Sequence, residues 1–144
     1  MGEMIKPFVI KHLDRIMDIW LQSTTSGHSF IPAEFWESRF EEVRGQMPAS
    51  TLFFYEEEEI IKGFLGITEG NYIAGLFVAP EYQRQGIGTE LIRFCKERYA
   101  VLELEVYAKN ERALAFYRQQ EFIIVSGKDN EETGEPEYKM VWRK

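Results

Sequence analysis

Residues 76–91, LFVAPEYQRQGIGTEL, predict a strand, a tight turn and a helix that begins beside glycines. Leu76–Val78 are apolar and strand-prone, and Pro80 ends the strand because it has no backbone N–H to donate. Gly86 and Gly88 lack Cβ atoms, so a ligand can approach the N–H groups of the first helical turn, which have no partner within the helix.

The same turn has the features of an anion site. The helix dipole puts partial positive charge on the free N–H groups and Arg84 adds a full charge, which favours a phosphate or pyrophosphate. The sequence has no Gly-Lys-Ser/Thr and no GxGxxG after an early strand, so two familiar phosphate motifs are excluded. A helix start that uses small residues for close packing is the alternative interpretation.

Composition narrows the class of protein. The chain has 144 residues, 44% hydrophobic and 15% aromatic, and we expect one globular domain over residues 1–144. No apolar run approaches the roughly 20 residues that a membrane span needs, and the N-terminus lacks an apolar signal core, so we expect a cytoplasmic protein without a membrane partner. The net charge of −7 argues against a nucleic-acid partner. Two isolated histidines and one cysteine form no metal-ligand pattern, and we expect no metal.

Hydrophobic spacing predicts the element order β-α-α-β-β-β-α-β-α-β-β. The first strand, Ile5–Ile10, contains Pro7 and is therefore expected at an edge of the sheet. A helix from Leu13 is followed by a loop at Ser23–His28, and a second helix runs from Pro32 to Pro48. The remaining predicted elements are strands at Thr51–Tyr55, Ile60–Thr68, Asn71–Val78, Val101–Val106, Phe122–Ser126 and Tyr138–Trp142, and helices from Ile87 and over Asn110–Gln120.

Three features of these elements bear on a site. In Val101–Val106 apolar and acidic residues alternate, so Glu103 and Glu105 should share the face opposite the core. Asn110 is a good N-cap for the helix that follows. Gly75 could mark a bulge in its strand or a close backbone approach, and Cys95 should be buried.

The opening stretch resembles the acyl-CoA-binding signature of the GNAT superfamily of N-acetyltransferases, Q/R-x-x-G-x-G/A, which Gln83, Gly86 and Gly88 fill. A second segment, ELEVYAKNERALAFYRQQEF, resembles the family's fifth strand and the helix after it. The stretch Leu21–Ile31 is similar to small bacterial members. Glu121 is a departure, since the family usually has glycine there. The resemblance implies an α/β (α+β) GNAT-like fold, with a mixed, mostly antiparallel sheet of about seven strands flanked by four helices.

The resemblance also implies an activity, the transfer of an acetyl group from acetyl-CoA to a primary amine by direct attack in a ternary complex. The amine could belong to a protein lysine, a protein N-terminus or a small molecule. The pyrophosphate would sit on the turn, the pantetheine arm would run along the strand, and N–H groups near Phe77 and Val78 would polarise the thioester carbonyl. The cofactor-binding residues expected are Leu76, Phe77, Val78, Gln83, Arg84, Gln85, Gly86, Ile87, Gly88, Thr89 and Asn110.

Two side chains are the candidate catalytic residues. Tyr117 stands where the family has its general acid, which protonates the departing thiolate; a core tyrosine on a helix is the alternative. Glu105 is the candidate base that takes a proton from the attacking amine, directly or through a water. Glu103 shares its face and could take that role, and an exposed strand glutamate without a function is the alternative for both.

The acceptor side is the least determined part of the site. In this family the first two helices and their loop wall the acceptor pocket, which here would use Trp20, Thr24, His28, Phe30, Phe35 and Trp36. His28 could be a base, a polar wall or a solvated loop residue. The chain could be a monomer or a homodimer. A coenzyme A sensor without turnover, and a phosphate-binding domain without acyl chemistry, are the rival functions.

Overall fold

The computed structural model describes residues 4–144. Its strands are β1 (Ile5–Pro7), β2 (Thr51–Glu57), β3 (Ile60–Thr68), β4 (Tyr72–Val78), β5 (Val101–Tyr107), β6 (Ile123–Asp129) and β7 (Pro136–Arg143). Its α-helices are α1 (Leu13–Gly27), α2 (Ala33–Ser38), α3 (Phe40–Gln46), α4 (Ile87–Lys96) and α5 (Glu111–Gln119). Within these residues no helix combines the length and the hydropathy that a membrane span requires.

The strands form one seven-stranded sheet in the order β1-β2-β3-β4-β5-β7-β6. Every neighbouring pair is antiparallel except β4 and β5, which are parallel and face each other at one residue pair, Tyr72 and Glu103. A backbone bond of 3.1 Å from Glu103 N–H to the carbonyl of Asn71 joins the strands there. Beyond this contact β4 and β5 separate, so the predicted mixed, mostly antiparallel sheet is confirmed and is split into two halves.

Helices cover the two faces of the first half of the sheet. On one face, α4 packs against β2 and β3 with Leu91 and Ile92 among the fully buried side chains. On the other face, α1 packs through Ile16, Met17 and Ile19 against a second apolar cluster. The alternation predicted for β5 is confirmed, because its apolar residues join the α4 and α5 side, namely Leu102, Leu104 and Val106.

The bulge predicted near Gly75 is present. Gly66 faces Gly75 across the β3–β4 ladder, but the next pair along is Ile67 and Ile73, which leaves Ala74 as the extra residue. The bulge occurs just past the point where β4 leaves β5, and local twist of this kind helps two strands diverge.

Two helix predictions were wrong in detail. The segment Ser23–His28, predicted as a loop, is helical through Gly27. Thr25 Oγ1 donates to the carbonyl of Leu21 at 2.8 Å, a hydrogen bond that a helix accommodates. The helix predicted from Pro32 to Pro48 is two short helices that meet at Arg39, which makes five α-helices in residues 4–144 where four were expected.

The strand ends also differ from the prediction. β1 lies at the sheet edge, as Pro7 indicated, but it ends at that residue. The last two strands are longer than expected, with β6 running to Asp129 and β7 beginning at Pro136. The polar connection between them is correspondingly short.

Glu121 ends α5 in a left-handed conformation with φ of +71°. Its N–H bonds to the carbonyl of Arg118 and the N–H of Phe122 bonds to the carbonyl of Tyr117, both at 3.0 Å, which is the Schellman pattern. A residue with a Cβ atom is disfavoured there by about 1 kcal/mol relative to glycine. The carbonyl of Tyr117 is thus bonded within a helix cap that has glutamate where glycine is preferred.

We predict that Glu121→Gly raises the free energy of unfolding by about 1 kcal/mol, measured by urea denaturation. The matched control is Glu121→Ala, which removes the carboxylate but keeps the Cβ atom. If the alanine variant gained as much stability as the glycine variant, charge rather than backbone strain would be the cause.

Candidate active site

The separation of β4 and β5 leaves backbone groups facing a gap. Ala79 N–H donates to the carbonyl of Lys62 on β3 at 2.8 Å, and bonded positions alternate along an antiparallel ladder. The backbone groups of Phe77 therefore point toward β3, whereas those of Leu76 and Val78 point toward the gap. This corrects the prediction that Phe77 also offers its backbone there.

The gap-facing carbonyl of Val78 has two side-chain partners. It accepts the Ser23 hydroxyl of α1 at 2.9 Å and the Gln83 side-chain amide at 3.2 Å. Gln83 therefore ties the glycine turn to the end of β4. The N–H groups of Leu76 and Val78 are the donors left along this side of the strand.

The turn before α4 curls its N–H groups around one point. Arg84 and Gly86 are both left-handed, with φ of +66° and +84°, and Gly86 is the N-cap of the helix. Glu90 N–H makes the first bond of the helix, to the carbonyl of Gly86, while in the described chain the N–H groups from Arg84 to Thr89 donate to no backbone carbonyl. Left-handed residues in such a turn form an anion-binding nest.

Other predicted residues of this turn have structural partners. Thr89 Oγ1 accepts the Gln120 amide of α5 at 3.2 Å. A Cβ atom added to Gly88 would lie 3.2 Å from the Phe116 ring, so this glycine lets α5 pack closely on α4. Arg84, Gln85 and Gly86 remain exposed, whereas Ile87 is buried in the core.

Tyr117 lies on the inner face of α5, 8% exposed, with its ring centroid 5.3 Å from that of Phe116 and 5.6 Å from that of Phe122. Burial raises the pKa of the Tyr117 hydroxyl above its usual range near 10. The hydroxyl is therefore neutral and able to donate a proton at physiological pH. Packing of this kind suits a core tyrosine as well, and the catalytic role stays a prediction.

Glu105 lies on the opposite face of β5, where it lines a cavity of about 330 Å³. Its Oε1 accepts the Tyr72 hydroxyl at 2.9 Å, and its Oε2 lies 3.6 Å from Lys128 Nζ. Burial, followed by the hydrogen bond to Glu105, raises the pKa of Tyr72, which keeps that hydroxyl a donor. Glu105 thus has a fixed orientation and remains solvated.

Glu103 shares this face, as predicted, but its carboxylate is engaged. It accepts from Lys139 Nζ at 2.8 Å and from the Asn71 amide at 3.3 Å. Both hydrogen bonds lower the pKa of Glu103, and the one from Lys139 has the larger effect. The hydrogen bond to Glu103 in turn raises the pKa of Lys139. Glu105 is consequently the freer of the two candidate bases.

Glu137 is a third carboxyl group on this face and is only 8% exposed. Burial raises the pKa of Glu137, and the nearby charge of Glu105 raises it further. A hydrogen bond from Asn130 at 3.3 Å partly offsets this rise. A buried carboxyl beside another carboxylate costs free energy when it ionises.

Asn110 caps α5 as predicted, since its Oδ1 accepts Ala113 N–H at 3.3 Å. Its Nδ2 lies 3.3 Å from His28 Nε2, and His28 Nδ1 lies 3.0 Å from the carbonyl of Thr24. These partners assign the neutral tautomer of His28 with the proton on Nδ1. Burial lowers the pKa of His28, and its two contacts favour a polar wall over a solvated loop residue.

An aromatic cluster surrounds His28. Its ring centroid lies 5.7 Å from Phe30, 5.2 Å from Trp36 and 5.3 Å from Tyr107. Tyr107 is the residue of β5 two positions after Glu105, so the cluster adjoins the Glu105 face of the sheet. The predicted acceptor residues His28, Phe30 and Trp36 are thereby brought together beside the candidate base, and Phe35 packs against Trp36 with ring centroids 4.9 Å apart.

Two other predicted acceptor residues are buried. Trp20 is 7% exposed and packs edge-on against Trp36, and Thr24 is 2% exposed on the inner face of α1. Both belong to the packing behind the cluster rather than to an open wall.

Four residues of the site were missed from the sequence. Ser23 binds the end of β4, Tyr72 and Lys128 contact Glu105, and Tyr107 joins the aromatic cluster. Each acts across elements distant in the chain, and a local pattern carries no such signal. The spacing of two residues between Glu105 and Tyr107, which puts both on one face of β5, was the one indication that Tyr107 belongs to the site.

Comparison with known proteins agrees with this geometry. Residues 21–144 match the family described as the acetyltransferase (GNAT) domain. The chain therefore belongs to the GNAT family and is an N-acetyltransferase, so the predicted family and class of enzyme are confirmed.

Individual relatives are similar along nearly the whole chain. Peptidyl-lysine N-acetyltransferase YiaC of Escherichia coli K12 is 39% identical over 140 residues, 96% of each chain. The apo-form solution structure of YjaB from E. coli superposes with a TM-score of 0.85 at 22% identity, covering 98% of this chain and 97% of that one. The PaiA N-acetyltransferase of Thermoplasma acidophilum, solved in complex with coenzyme A, gives 0.80 at 18% identity over the full length of both chains.

The raised pKa of Glu137 generates a pH-dependent stability prediction. Its folded-state pKa is above the unfolded one, so the carboxyl favours the folded state below pH about 4.3 and opposes it as pH rises through the folded pKa. We expect Glu137→Gln to stabilise the protein by about 1 kcal/mol at pH 7, with the gain vanishing near pH 4.

Urea denaturation at a series of pH values measures this difference. The matched control is Glu131→Gln, at a neighbouring exposed glutamate, which should change little at any pH. A gain for Glu137→Gln that is independent of pH would contradict the explanation.

Proposed function

We propose that this enzyme transfers the acetyl group of acetyl-CoA to the side-chain amine of a protein lysine, by direct attack in a ternary complex. The observation that carries the proposal is the gap between β4 and β5. The free N–H groups of Leu76 and Val78 face it, with Tyr117 on the buried side of the sheet and Glu105 on the open side.

The turn before α4 fits the pyrophosphate of coenzyme A. Its free N–H groups, its two left-handed residues and the charge of Arg84 together suit a diphosphate, and Gly86 leaves open space where a side chain would stand. Arg84 keeps a left-handed conformation that costs a residue with a Cβ atom about 1 kcal/mol, and such strain is common at ligand sites. When bound, acetyl-CoA would supply the activated acetyl thioester.

Glu105 would act as the base. The ammonium group of lysine has a pKa near 10.4, so a proton must be removed before the nitrogen can attack. Tyr72 holds one carboxylate oxygen of Glu105, and the other oxygen faces the cavity and Lys128. This second oxygen is the one available to a substrate amine.

The gap-facing N–H groups of Leu76 and Val78 would stabilise the charge that develops on the carbonyl oxygen during attack. Tyr117 would then protonate the departing sulfur. Because burial raises its pKa, the hydroxyl holds its proton until a thiolate forms nearby. Acid and base therefore approach the reacting bond from the two faces of the sheet.

A protein lysine is the acceptor class that the surroundings favour. The aromatic cluster offers rings against which an aliphatic chain can pack, and four glutamates line or adjoin the cavity, namely Glu69, Glu103, Glu105 and Glu137. YiaC, at 39% identity, is named a peptidyl-lysine acetyltransferase, which supports the same class.

We predict that Tyr117→Phe lowers kcat by about 10²-fold or more with a lysine-containing peptide, the scale of general acid catalysis. Release of free thiol from acetyl-CoA measures turnover, and thermal stabilisation by coenzyme A measures binding, which should be unchanged. Full activity of the variant would remove Tyr117 from its role.

Two controls make this test decisive. Glu105→Gln should also lose activity while coenzyme A binding persists. Stabilisation by coenzyme A without turnover on any lysine peptide, N-terminal peptide or small amine would favour a sensor. Stabilisation by nucleotides that lack pantetheine, with none specific to coenzyme A, would favour a phosphate-binding domain.

A further prediction concerns the direct attack. Cys95 is 1% exposed and its burial raises the pKa of the thiol to about 12, which makes it a poor nucleophile. We expect Cys95→Ala to lose about 1 kcal/mol of stability but to keep turnover per folded molecule within about twofold of wild type. A loss of turnover in the folded variant, with an acetylated Cys95 in the wild type, would indicate an acyl-enzyme instead.

A further inference from the structure

Lys128 is the amine that the structure places at the candidate base. Its Nζ lies 3.6 Å from Glu105 Oε2, the oxygen that Tyr72 leaves free, and its side chain is 64% exposed at the end of β6. Lys128 also lines the cavity of about 330 Å³ in which Glu105 lies. A substrate lysine would have to occupy the position that this ammonium group holds.

From this contact we propose that the enzyme acetylates its own Lys128. The inference rests on the proposed function, because it uses the same base, the same acid and the same co-substrate. A lysine within reach of the base needs no encounter with another molecule, so proximity alone gives it a high effective concentration. An exposed side chain on a surface strand keeps the rotamer freedom that it needs to turn from Glu105 toward the gap.

The step balances with the groups already described. The Lys128 ammonium gives one proton to Glu105, and its nitrogen then bonds the carbonyl carbon of the acetyl group as the carbon–sulfur bond breaks. The nitrogen loses a second proton to solvent when the amide forms, and Glu105 passes its own proton to solvent. Tyr117 protonates the thiolate and regains its proton from solvent. One acetyl-lysine, one free thiol and one net proton result.

Lys139 provides a comparison within the same cavity. It is also exposed and lies opposite Glu105 in the β5–β7 ladder, but its Nζ donates to Glu103 at 2.8 Å. That hydrogen bond raises the pKa of Lys139 and engages its ammonium group with Glu103. The geometry therefore distinguishes two neighbouring lysines on one face of the sheet.

Apart from Lys128 and Lys139, the groups around Glu105 in residues 4–144 are hydroxyl and carboxyl groups. Tyr72 donates its hydroxyl from β4, Glu103 and Tyr107 lie on β5, and Glu137 adds a carboxyl group from β7. Acetylation of Lys128 would remove the cation that pairs with Glu105 and leave its Oε2 open to a substrate.

The test incubates the full-length wild-type protein with isotope-labelled acetyl-CoA and follows each lysine by peptide mass spectrometry. We expect Lys128 to be labelled at least about tenfold faster than Lys139 and than the exposed Lys11 and Lys144. The first-order rate constant should not change when the protein is diluted, as reaction within one molecule requires.

Tyr117→Phe and Glu105→Gln separate enzymatic transfer from chemical acetylation, because an uncatalysed reaction of Lys128 does not need either group. We expect labelling of Lys128 to fall by about 10²-fold in Tyr117→Phe, while labelling of Lys11 stays the same. Equal labelling of Lys128 in wild type and in both variants would overturn the inference, as would labelling no faster than that of Lys139.

The outcome also separates this inference from the proposed function. Turnover on a lysine peptide without labelled Lys128 would refute self-acetylation and leave the acetyltransferase proposal standing. Absence of both reactions, in protein that coenzyme A still stabilises, would refute the proposed function itself. Labelling that rises with protein concentration would indicate transfer between molecules and contradict the reaction within one chain.

Discussion

The single parallel contact between Tyr72 and Glu103 determines the shape of the site. It joins two antiparallel halves at the start of β4, and the bulge at Ala74 follows directly. A sheet paired along its full length would satisfy the backbone groups of Leu76 and Val78 within the fold. Because the strands separate, the N–H groups of Leu76 and Val78 remain available, and a polar ligand that satisfies them recovers hydrogen bonds which the fold leaves unmade.

Local sequence patterns predicted the elements that local chemistry controls. Alternation placed Glu103 and Glu105 on one face, Asn110 was identified as a cap, and the glycine turn was found at the start of α4. The extent of α1 was missed because Ser23 and Thr25 are typical loop residues. In the structure both hydroxyls bond to carbonyls, one on β4 and one within the helix, and tertiary contacts override the local preference.

The partners of the site residues could not be predicted in the same way. Tyr72 and Glu105 are 33 positions apart, and Asn110 and His28 are 82 positions apart. The neighbouring residues in the chain do not indicate either pairing. The first depends on how β4 meets β5, and the second on where α1 ends. The left-handed conformation of Arg84 could not be predicted either, because its neighbours in the sequence are compatible with several turn types.

The sheet gives the two proposed proton-transfer groups, Tyr117 and Glu105, different environments. Tyr117 lies among packed rings, where burial disfavours the phenolate and keeps a proton on oxygen until a stronger base appears. Glu105 lies on the open face with a hydroxyl and an ammonium group as partners. A general acid and a general base at the same pH require opposite surroundings, and the two faces of the sheet provide them for the proposed pair, Tyr117 and Glu105. The split between β4 and β5 exposes the backbone donors of β4 beside the strand that carries Glu105.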